Sequence, residues 1–247
     1  EGVASFDDWS VDSIVVDWVD ESTSGEEAGR FVGGNARLKK LAIRGESMEW
    51  NAGSTALKWF DGLCAGVARN RSITHLSFRE CSLTNEALAT TIATLAPFLE
   101  LNANLCRLEI VGCNIGDETT RLLASALSRR DEKSSLHRII LDANNIGDDS
   151  GHDLVNALRG YENLEEFSLG DNEIGQRSCV ALSGLLSSPS TKLKELNIEN
   201  NQIDNDCIAH LTNALVTNSV LSELNLSFSC RITQAGWKTF ASCLQSP

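Results

Sequence analysis

The sequence predicts an α/β solenoid, a stack of repeated strand–turn–helix units that share one core. An apolar pattern recurs along nearly all of the 247 residues, with copies that start at residues 11, 38, 73, 105, 136, 164, 193 and 221. Inside each copy, apolar residues alternate with the period of two that is typical of a strand. After each copy the apolar spacing changes to the three-and-four spacing of a helix. Because no single unit can bury its apolar strand face alone, stacking of the units is expected.

The three clearest copies of the pattern read L-x-x-L-x-L-x-x-N-x-I, with Ile or Phe accepted at the second and third Leu positions. They begin at Leu136, Leu164 and Leu193. The copies that begin at residues 73 and 105 fit the same pattern, with Cys81 and Cys113 at the asparagine position. The copies at 38 and 221 are less regular, and the copy at 11 is weak. The spacing of 27 to 35 residues between copies is typical of a repeat protein.

The asparagine position predicts a structural ladder rather than a binding site. Asn144, Asn172 and Asn201 are expected to point inward and to hydrogen-bond the backbone of the turns, which lack a sheet partner. Cys81 and Cys113 are smaller and can fill the same position. Short polar residues at the start of each helical stretch predict N-caps. These are Thr84, Asp117, Asp148, Asp204 and Thr233.

This repeat pattern resembles the leucine-rich repeat family, in the long-repeat subclass of ribonuclease inhibitor and of the repeat regions of NOD-like receptors. The resemblance covers nearly the whole chain. It implies a right-handed α/β horseshoe, with a parallel β-sheet on the concave face and helices on the convex face. It also implies protein partners in general, but it does not choose among them, because a fold alone does not determine a function.

The repeats predict one continuous solenoid domain. Residues 38–247 contain about seven units, with starts at 38, 73, 105, 136, 164, 193 and 221. Residues 1–37 are expected to form an N-terminal cap with a degenerate repeat, because an array needs an atypical terminal unit. The alternative is a linker from a preceding domain. Residues 242–247 resemble residues 185–189, which precede a strand, so the array is expected to continue or to be covered by a partner.

Composition argues against several classes of function. The chain has 21 Lys and Arg against 34 Asp and Glu, a formal net charge of −13, which disfavours nucleic acid and anionic membranes as partners. No apolar run approaches the roughly 18 residues of a membrane span. The sequence contains no recognisable nucleotide-binding or catalytic motif, and its four histidines lack metal-ligand spacing. We therefore predict no enzymatic activity, no metal and no cofactor.

The eight cysteines favour an intracellular, reducing compartment. Six of them fall in helical stretches or at the asparagine position, where they are typical of small buried hydrophobic residues rather than of disulfides.

The side chains between the apolar positions are predicted to line the concave face. In the third position of successive units the charge changes sign once, from basic to acidic, between Arg138 and Glu166. The predicted partner-binding residues are Trp18, Lys40, Arg44, His75, Arg79, Arg107, Arg138, Asp142, Glu166, Asp171, Glu195, Glu199, Glu223 and Phe228.

Two interpretations of this face remain open. The first is a solvated surface with exposed ion pairs such as Arg138 with Glu166, which contribute about 0–1 kcal/mol each. The second is a dipolar surface for a protein partner, favoured because like charges on neighbouring strands repel. The leading functional hypothesis is a non-enzymatic module that binds a protein partner. The alternatives are a structural subunit of a larger assembly, a regulator of a small GTPase, and the sensing part of a multidomain receptor or adaptor.

Overall fold

Strands and helices alternate throughout the part of the chain that the structure describes. The structure is a computed structural model, and it describes residues 12–16, 24–45, 55–81, 85–130 and 135–244. The strands are β1 (Ser13–Val16), β2 (Lys40–Arg44), β3 (His75–Arg79), β4 (Arg107–Val111), β5 (Arg138–Ile140), β6 (Glu166–Ser168), β7 (Glu195–Asn197) and β8 (Glu223–Asn225). The helices are α1 (Gly25–Gly34), α2 (Thr55–Arg69), α3 (Asn85–Leu101), α4 (Gly116–Ser128), α5 (Asp148–Ala157), α6 (Gln176–Leu186), α7 (Asn205–Leu215) and α8 (Gln234–Leu244).

The strands form one parallel sheet in the order β1 to β8, so that each strand pairs with the next along the chain. Parallel neighbours require a crossover connection, and the intervening helix supplies it in every described unit. Successive helices also pack on each other, which makes a helical layer over one face of the sheet. The predicted α/β solenoid with a parallel sheet and a helical convex layer is therefore confirmed.

The core lies between the sheet and the helices. Its sheet side consists of the second and third apolar residues of each copy, for example Ile139 and Leu141, which are both fully buried. Its helix side consists of apolar stripes such as Leu154, Val155 and Leu158, which have no exposed surface. Burial of each such side chain contributes about 1.5–3 kcal/mol, so the repeated leucines are the main source of stability.

Strands β3 to β8 are each followed, within three residues, by a residue in the left-handed backbone region. Ala143, Asp171 and Phe228 have φ angles of 56°, 54° and 56° at this position, and Gly112 has 64°. The chain turns away from the sheet here, and the conformation is uncommon for residues other than glycine. The hydrogen bonds of the next residue help to hold this turn in place.

That next residue is the ladder position, and its amide side chains join neighbouring repeats. Asn172 is buried, and its amide makes five hydrogen bonds of 2.9–3.1 Å to backbone groups, namely the carbonyls of Leu141, Leu169 and Gly170 and the N–H groups of Asn144 and Ile146. Asn144 and Asn201 make equivalent contacts in their own repeats. Cys81 and Cys113 occupy the same position in earlier repeats and are also buried.

A second set of asparagines lies at the opposite end of the strands, where sequence reasoning did not find it. Asn70 accepts hydrogen bonds from the backbone N–H groups of Ser72 and Ile73 at 2.7 and 2.9 Å, and it donates to the carbonyl of Val32 at 2.6 Å. Asn102 donates to the carbonyl of Ile73 at 2.9 Å. These side chains bridge repeats at the strand entrance, as the ladder bridges them at the strand exit.

Arg130 performs the bridging role in the repeat that follows. Its buried guanidinium donates hydrogen bonds of 2.6, 2.7 and 3.2 Å to the carbonyls of Leu99, Asn102 and Leu105. Leu99 lies in the last turn of α3, where a cation is favoured by the helix dipole. Burial lowers the pKa of Arg130, but an arginine stays charged at any physiological pH.

The prediction of N-caps is correct for Asp204 but wrong for Asp117 and Asp148. Asp204 does cap its own helix, by accepting hydrogen bonds from the N–H groups of Asp206 and Cys207. Asp117 and Asp148 instead lie inside the first turns of α4 and α5 and bond to the start of the next helix. Asp148 accepts hydrogen bonds from three N–H groups at the start of α6, those of Gly175, Arg177 and Ser178.

The two remaining predicted N-caps are Thr233 and Thr84. The Thr233 hydroxyl bonds to the side chain of Asn205, and the Asn205 carboxamide oxygen accepts from the Thr233 N–H at 2.9 Å. Thr84 lies outside the described residues. Capping between repeats arises because the helices are stacked, so that one helix start lies beside the next. A polar side chain can therefore reach the N–H groups of either helix.

Close glycine packing joins α1 to α2. Gly29 lies against Gly62 and Gly66, and a Cβ atom built on Gly29 would lie 2.0 Å from the carbonyl oxygen of Gly62. A Cβ built on Gly66 would lie 2.1 Å from the carbonyl oxygen of Gly29. The two helix backbones are in direct contact here, and a side chain on either glycine would separate them.

Replacement of Gly29 by alanine is expected to destabilise the protein. The added methyl group meets backbone rather than a movable side chain, so the expected loss is at least the roughly 1–3 kcal/mol of an overpacked core. Chemical denaturation of the variant measures this loss. Gly34→Ala is the matched control, because a Cβ atom at this position would have no heavy atom within 4 Å, and it should be neutral or stabilising. Equal stability of both variants would contradict close packing.

Replacement of Asn172 by alanine is expected to lower the free energy of unfolding more than replacement of an exposed residue does. It leaves several buried backbone groups without partners, each worth about 1–3 kcal/mol, so a loss above about 3 kcal/mol is expected in the same denaturation assay. Asn213→Ala, on the exposed side of α7, is the control and should change stability by about 0.5 kcal/mol or less. A loss at Asn172 no larger than at Asn213 would show that the ladder is dispensable.

Candidate functional site

The concave face presents three rows of side chains that cross the sheet. In the first row, continuous strand register places the third-position residues beside one another. In chain order these are Ser13, Lys40, His75, Arg107, Arg138, Glu166, Glu195 and Glu223. Neighbouring strands lie about 4.8 Å apart, so the charges of this row are close to their neighbours. We call its part from Lys40 to Arg138 the basic half and its part from Glu166 to Glu223 the acidic half.

Two parallel rows lie beside the first. Register pairs Arg44 with Arg79, and backbone hydrogen bonds continue the strand pairing to Asp142 and Glu199 beyond the ends of the strands. Between these rows lie Ser77, Glu109, Ser168, Asn197 and Asn225. Asp171 and Phe228 lie at the rim, in the left-handed position after the strands. Trp18 lies outside the described residues.

Glu109 contacts two arginines, Arg107 of the basic half and Arg79 of a neighbouring row, an arrangement that sequence reasoning missed. It is only 5% exposed, and it accepts hydrogen bonds from Arg79 at 3.0 Å, from Ser77 at 2.9 Å and from Arg107. Burial alone would raise the pKa of Glu109, but these three donors together lower it below its ordinary value. The sequence shows a glutamate between basic rows, but it does not show that two arginines converge on it.

The boundary between the two halves carries an ion pair. Arg138 and Glu166 are in register on neighbouring strands and their side chains are in direct contact. This is the ion pair that the first interpretation of the face names, and Arg79 and Arg107 also contact a carboxylate. The arrangement of the sheet brings those carboxylates in from another row and from the next strand.

Lys40 and His75 differ from these arginines. Neither side chain has a carboxylate partner among the residues that the structure describes, although the Thr74 hydroxyl lies 2.8 Å from Nδ1 of His75. Burial lowers the pKa of His75, and the charges of Lys40, Arg107 and His137 lower it further, while Glu109 raises it. In this part of the basic half, Lys40 therefore supplies a positive charge without a described carboxylate partner, and His75 is held toward its neutral form.

Carboxylates of the acidic half and of the neighbouring row have few hydrogen-bond donors. Asp142 accepts hydrogen bonds from Ser168 and from the Gly170 N–H, but burial raises its pKa and Glu199 and Asp171 add to that rise. Within the described part of the chain, Glu195 and Glu223 have no cation within ion-pair distance. A hollow of about 240 Å³ lies over this half, and its lining includes Asp142, Glu166, Glu195, Glu223 and Asn197.

Aromatic side chains lie beyond the acidic half. Phe228 is 74% exposed at the rim, and Trp237 of α8 packs edge-to-face on Phe240. They line a second hollow of about 590 Å³ together with Leu226 and Ile232. This places one of the predicted aromatic residues next to the charged rows.

The described residues do not assemble into a recognisable reaction centre. No group of three or more His, Cys, Asp and Glu side chains within them could hold a metal ion. Seven described cysteines are free thiols, and five of them are buried, namely Cys64, Cys81, Cys113, Cys179 and Cys207. Burial raises the pKa of Cys64. Among the described helices, none combines the length and the hydropathy of a transmembrane segment.

Comparisons with known proteins agree with this architecture. A family model described as "Leucine Rich repeat" matches residues 190–206, which contain β7 and its ladder asparagine. The fold of this chain is a leucine-rich repeat solenoid. Its long repeats are similar to those of mouse ribonuclease inhibitor, with 28% identity over 78% of this chain and 47% of that protein. They are also similar to mouse NACHT, LRR and PYD domains-containing protein 12, with 27% identity over 79% of this chain and 20% of that protein.

The chain therefore spans less than half of the length of these two relatives. Among solved structures, an internalin from Listeria monocytogenes is similar over 86% of this chain and 54% of that chain, with 18% identity and a TM-score of 0.49.

Replacement of Glu109 by glutamine is expected to destabilise the repeat by about 1.5–3 kcal/mol at neutral pH, because hydrogen bonds to a charged group are lost. The folded pKa of Glu109 is lowered, so its contribution is complete above the ordinary value of 4.5 and is lost as the pH falls through the folded pKa. Denaturation at a series of pH values should therefore show the two proteins converging below about pH 4.5.

Glu162→Gln, at an exposed position, is the control and should leave the pH profile unchanged. A constant difference between wild type and Glu109→Gln from about pH 7 to about pH 3, values that bracket the carboxyl range, would contradict the proposed ion cluster.

Proposed function

We propose that this chain is a non-enzymatic module that binds a protein partner through its concave face. The observation that carries this proposal is the row of like charges Glu195 and Glu223, which lie in register on β7 and β8 and have no cation partner among the described residues. Like charges on directly opposite positions of neighbouring strands destabilise a sheet. A partner with complementary charge would remove that cost.

The division of charge favours one orientation of the partner. Lys40 and His75 require negative groups, whereas Glu195 and Glu223 require positive groups on the other side of the same face. Complementary charge across an interface increases the association rate and fixes the register of binding. Eight strands at about 4.8 Å give a sheet about 35 Å wide, wide enough for the roughly 800 Å² per partner of a standard interface.

The relatives support a binding role. The name of mouse ribonuclease inhibitor describes a protein that acts by inhibiting an enzyme, which is itself a protein. Such an activity needs a recognition surface rather than a catalytic centre. The exposed aromatic ring of Phe228 at the rim also fits this role, because aromatic residues are enriched in protein interfaces.

Site-specific photo-crosslinking tests the proposal. A photoreactive residue at position 195 on the concave face is expected to give a discrete adduct in extracts of the source cells, identified by mass spectrometry. The same residue at position 180, an exposed site on the convex helix α6, is the control and should give no such adduct. An adduct at position 180 with none at position 195 would place the partner on the convex face and contradict the proposal.

Charge reversal gives a second measurement. Glu195→Lys with Glu223→Lys should reduce recovery of the crosslinked partner at physiological salt about tenfold or more, since like charges at an interface cost several kcal/mol. Because these carboxylates have no ion pair to lose, the unfolding midpoint should stay nearly constant. Undiminished capture by the double variant would show that the acidic half takes no part in binding.

A further inference from the structure

Basic side chains lie together in the basic half, and those of Lys40 and His75 have no carboxylate partner among the described residues. Lys40, His75 and Arg107 lie on the neighbouring strands β2, β3 and β4 in continuous register. His137 precedes β5, and its charge acts on His75 together with those of Lys40 and Arg107. Strands about 4.8 Å apart keep these groups close.

The carboxylates near this cluster are already engaged. Glu109 lies on β4 and divides its two oxygens between Arg107 and the pair Arg79 and Ser77. Glu166 contacts Arg138 on the far side of the cluster. No other described carboxylate lies within ion-pair distance of Lys40 or His75. The excess positive charge is thus concentrated on β2 and β3.

We propose that Lys40 and His75, which lie beside the Arg107 that Glu109 holds, form a receptor for the carboxylates of an acidic segment of the protein partner, and that binding is coupled to proton uptake by His75. This inference rests on the proposed function and names the partner chemistry that one half of the concave face selects. The residues are on one rigid sheet, so the cluster is already arranged before the partner arrives.

The acidic half determines the type of anion that fits. Glu195 and Glu223 lie on the same face, three and four strands beyond Arg107. A nucleic acid strand continuing across the face would meet these carboxylates and be repelled. A protein segment can present carboxylates over β2 to β4 and other side chains over β7 and β8, so an acidic peptide segment is the occupant that this charge pattern favours.

Proton uptake follows from the surroundings of His75. The groups that face it are Lys40 from β2, Arg107 and Glu109 from β4 and His137 from the segment before β5. In the free protein, burial and the three cationic groups hold the pKa of His75 below its ordinary value. A bound carboxylate favours the protonated ring, so affinity should rise as the pH falls through the pKa of the complex.

The test uses the full chain and a labelled peptide of alternating Asp and Gly with three aspartates, whose carboxylates stay ionised between about pH 6 and 8. Fluorescence anisotropy should show tighter binding at pH 6 than at pH 8, by at most about tenfold for each unit by which the peptide raises the pKa of His75. NMR titration of His75 should show an upward shift of its pKa when the peptide is added.

Three variants separate the contributions. His75→Gln should bind the peptide with the same affinity at both pH values, and Lys40→Gln should bind more weakly at both. Lys58→Gln, at an exposed position on the convex helix α2, is the matched control and should behave like wild type. The same peptide with Asn in place of Asp should not bind.

Several results would overturn the inference. These are equal binding of the Asp and Asn peptides, pH dependence that persists in His75→Gln, or tighter binding of a single-stranded oligonucleotide than of the acidic peptide. If crosslinking at position 195 places a protein partner on the concave face but the acidic peptide fails to bind, the proposed function stands and this inference alone is wrong.

Discussion

The structure depends on hydrogen bonding of the backbone where the chain leaves the sheet. Strands β5 to β8 are only three residues long. The turn after each of them carries backbone N–H and C=O groups that lie in the protein interior. Unpaired buried groups of this kind are costly. Asn144, Asn172 and Asn201 satisfy them, and because each amide reaches the preceding repeat, the same contact also fixes the stacking distance.

Contacts between repeats also occur at three other places. Asn70 and Arg130 bridge the strand entrances, Asp148 caps the helix of the next repeat, and Gly29 packs on Gly62. A repeat therefore obtains part of its hydrogen bonding and packing only from its neighbour. Stability in such arrays is carried by nearest-neighbour interfaces. The result is a rigid sheet, on which side chains of the concave face have defined spacing.

Because the sheet is rigid, the charged rows of the concave face keep a fixed arrangement. On a flexible surface, Lys40 and Glu195 could turn toward compensating charges, but here the strand register fixes their backbone positions. Glu109 shows how the chain neutralises charges that it keeps for its own stability, since two arginines converge on it. The charges left without such contacts are therefore the ones available to a partner.

Much of this protein follows from its sequence. The repeated leucines determine the alternation of strands and helices, and the period of two within each strand determines which side chains face the core, because a side chain's direction in a strand alternates strictly. The ladder position of Asn172 follows from the motif as well. The charge reversal along the third position is also visible, since it needs only the order of the repeats.

Apart from pairs in register such as Arg138 with Glu166, only the tertiary structure decided which residues contact each other across repeats. The Glu109 cluster, the capping of one helix by Asp148 of the preceding repeat and the contact of Gly29 with Gly62 join residues that lie about one repeat apart in the chain. Their partners depend on the stacking distance and on the tilt of each helix. A pattern of residue types determines neither quantity, because packing of the whole array sets both.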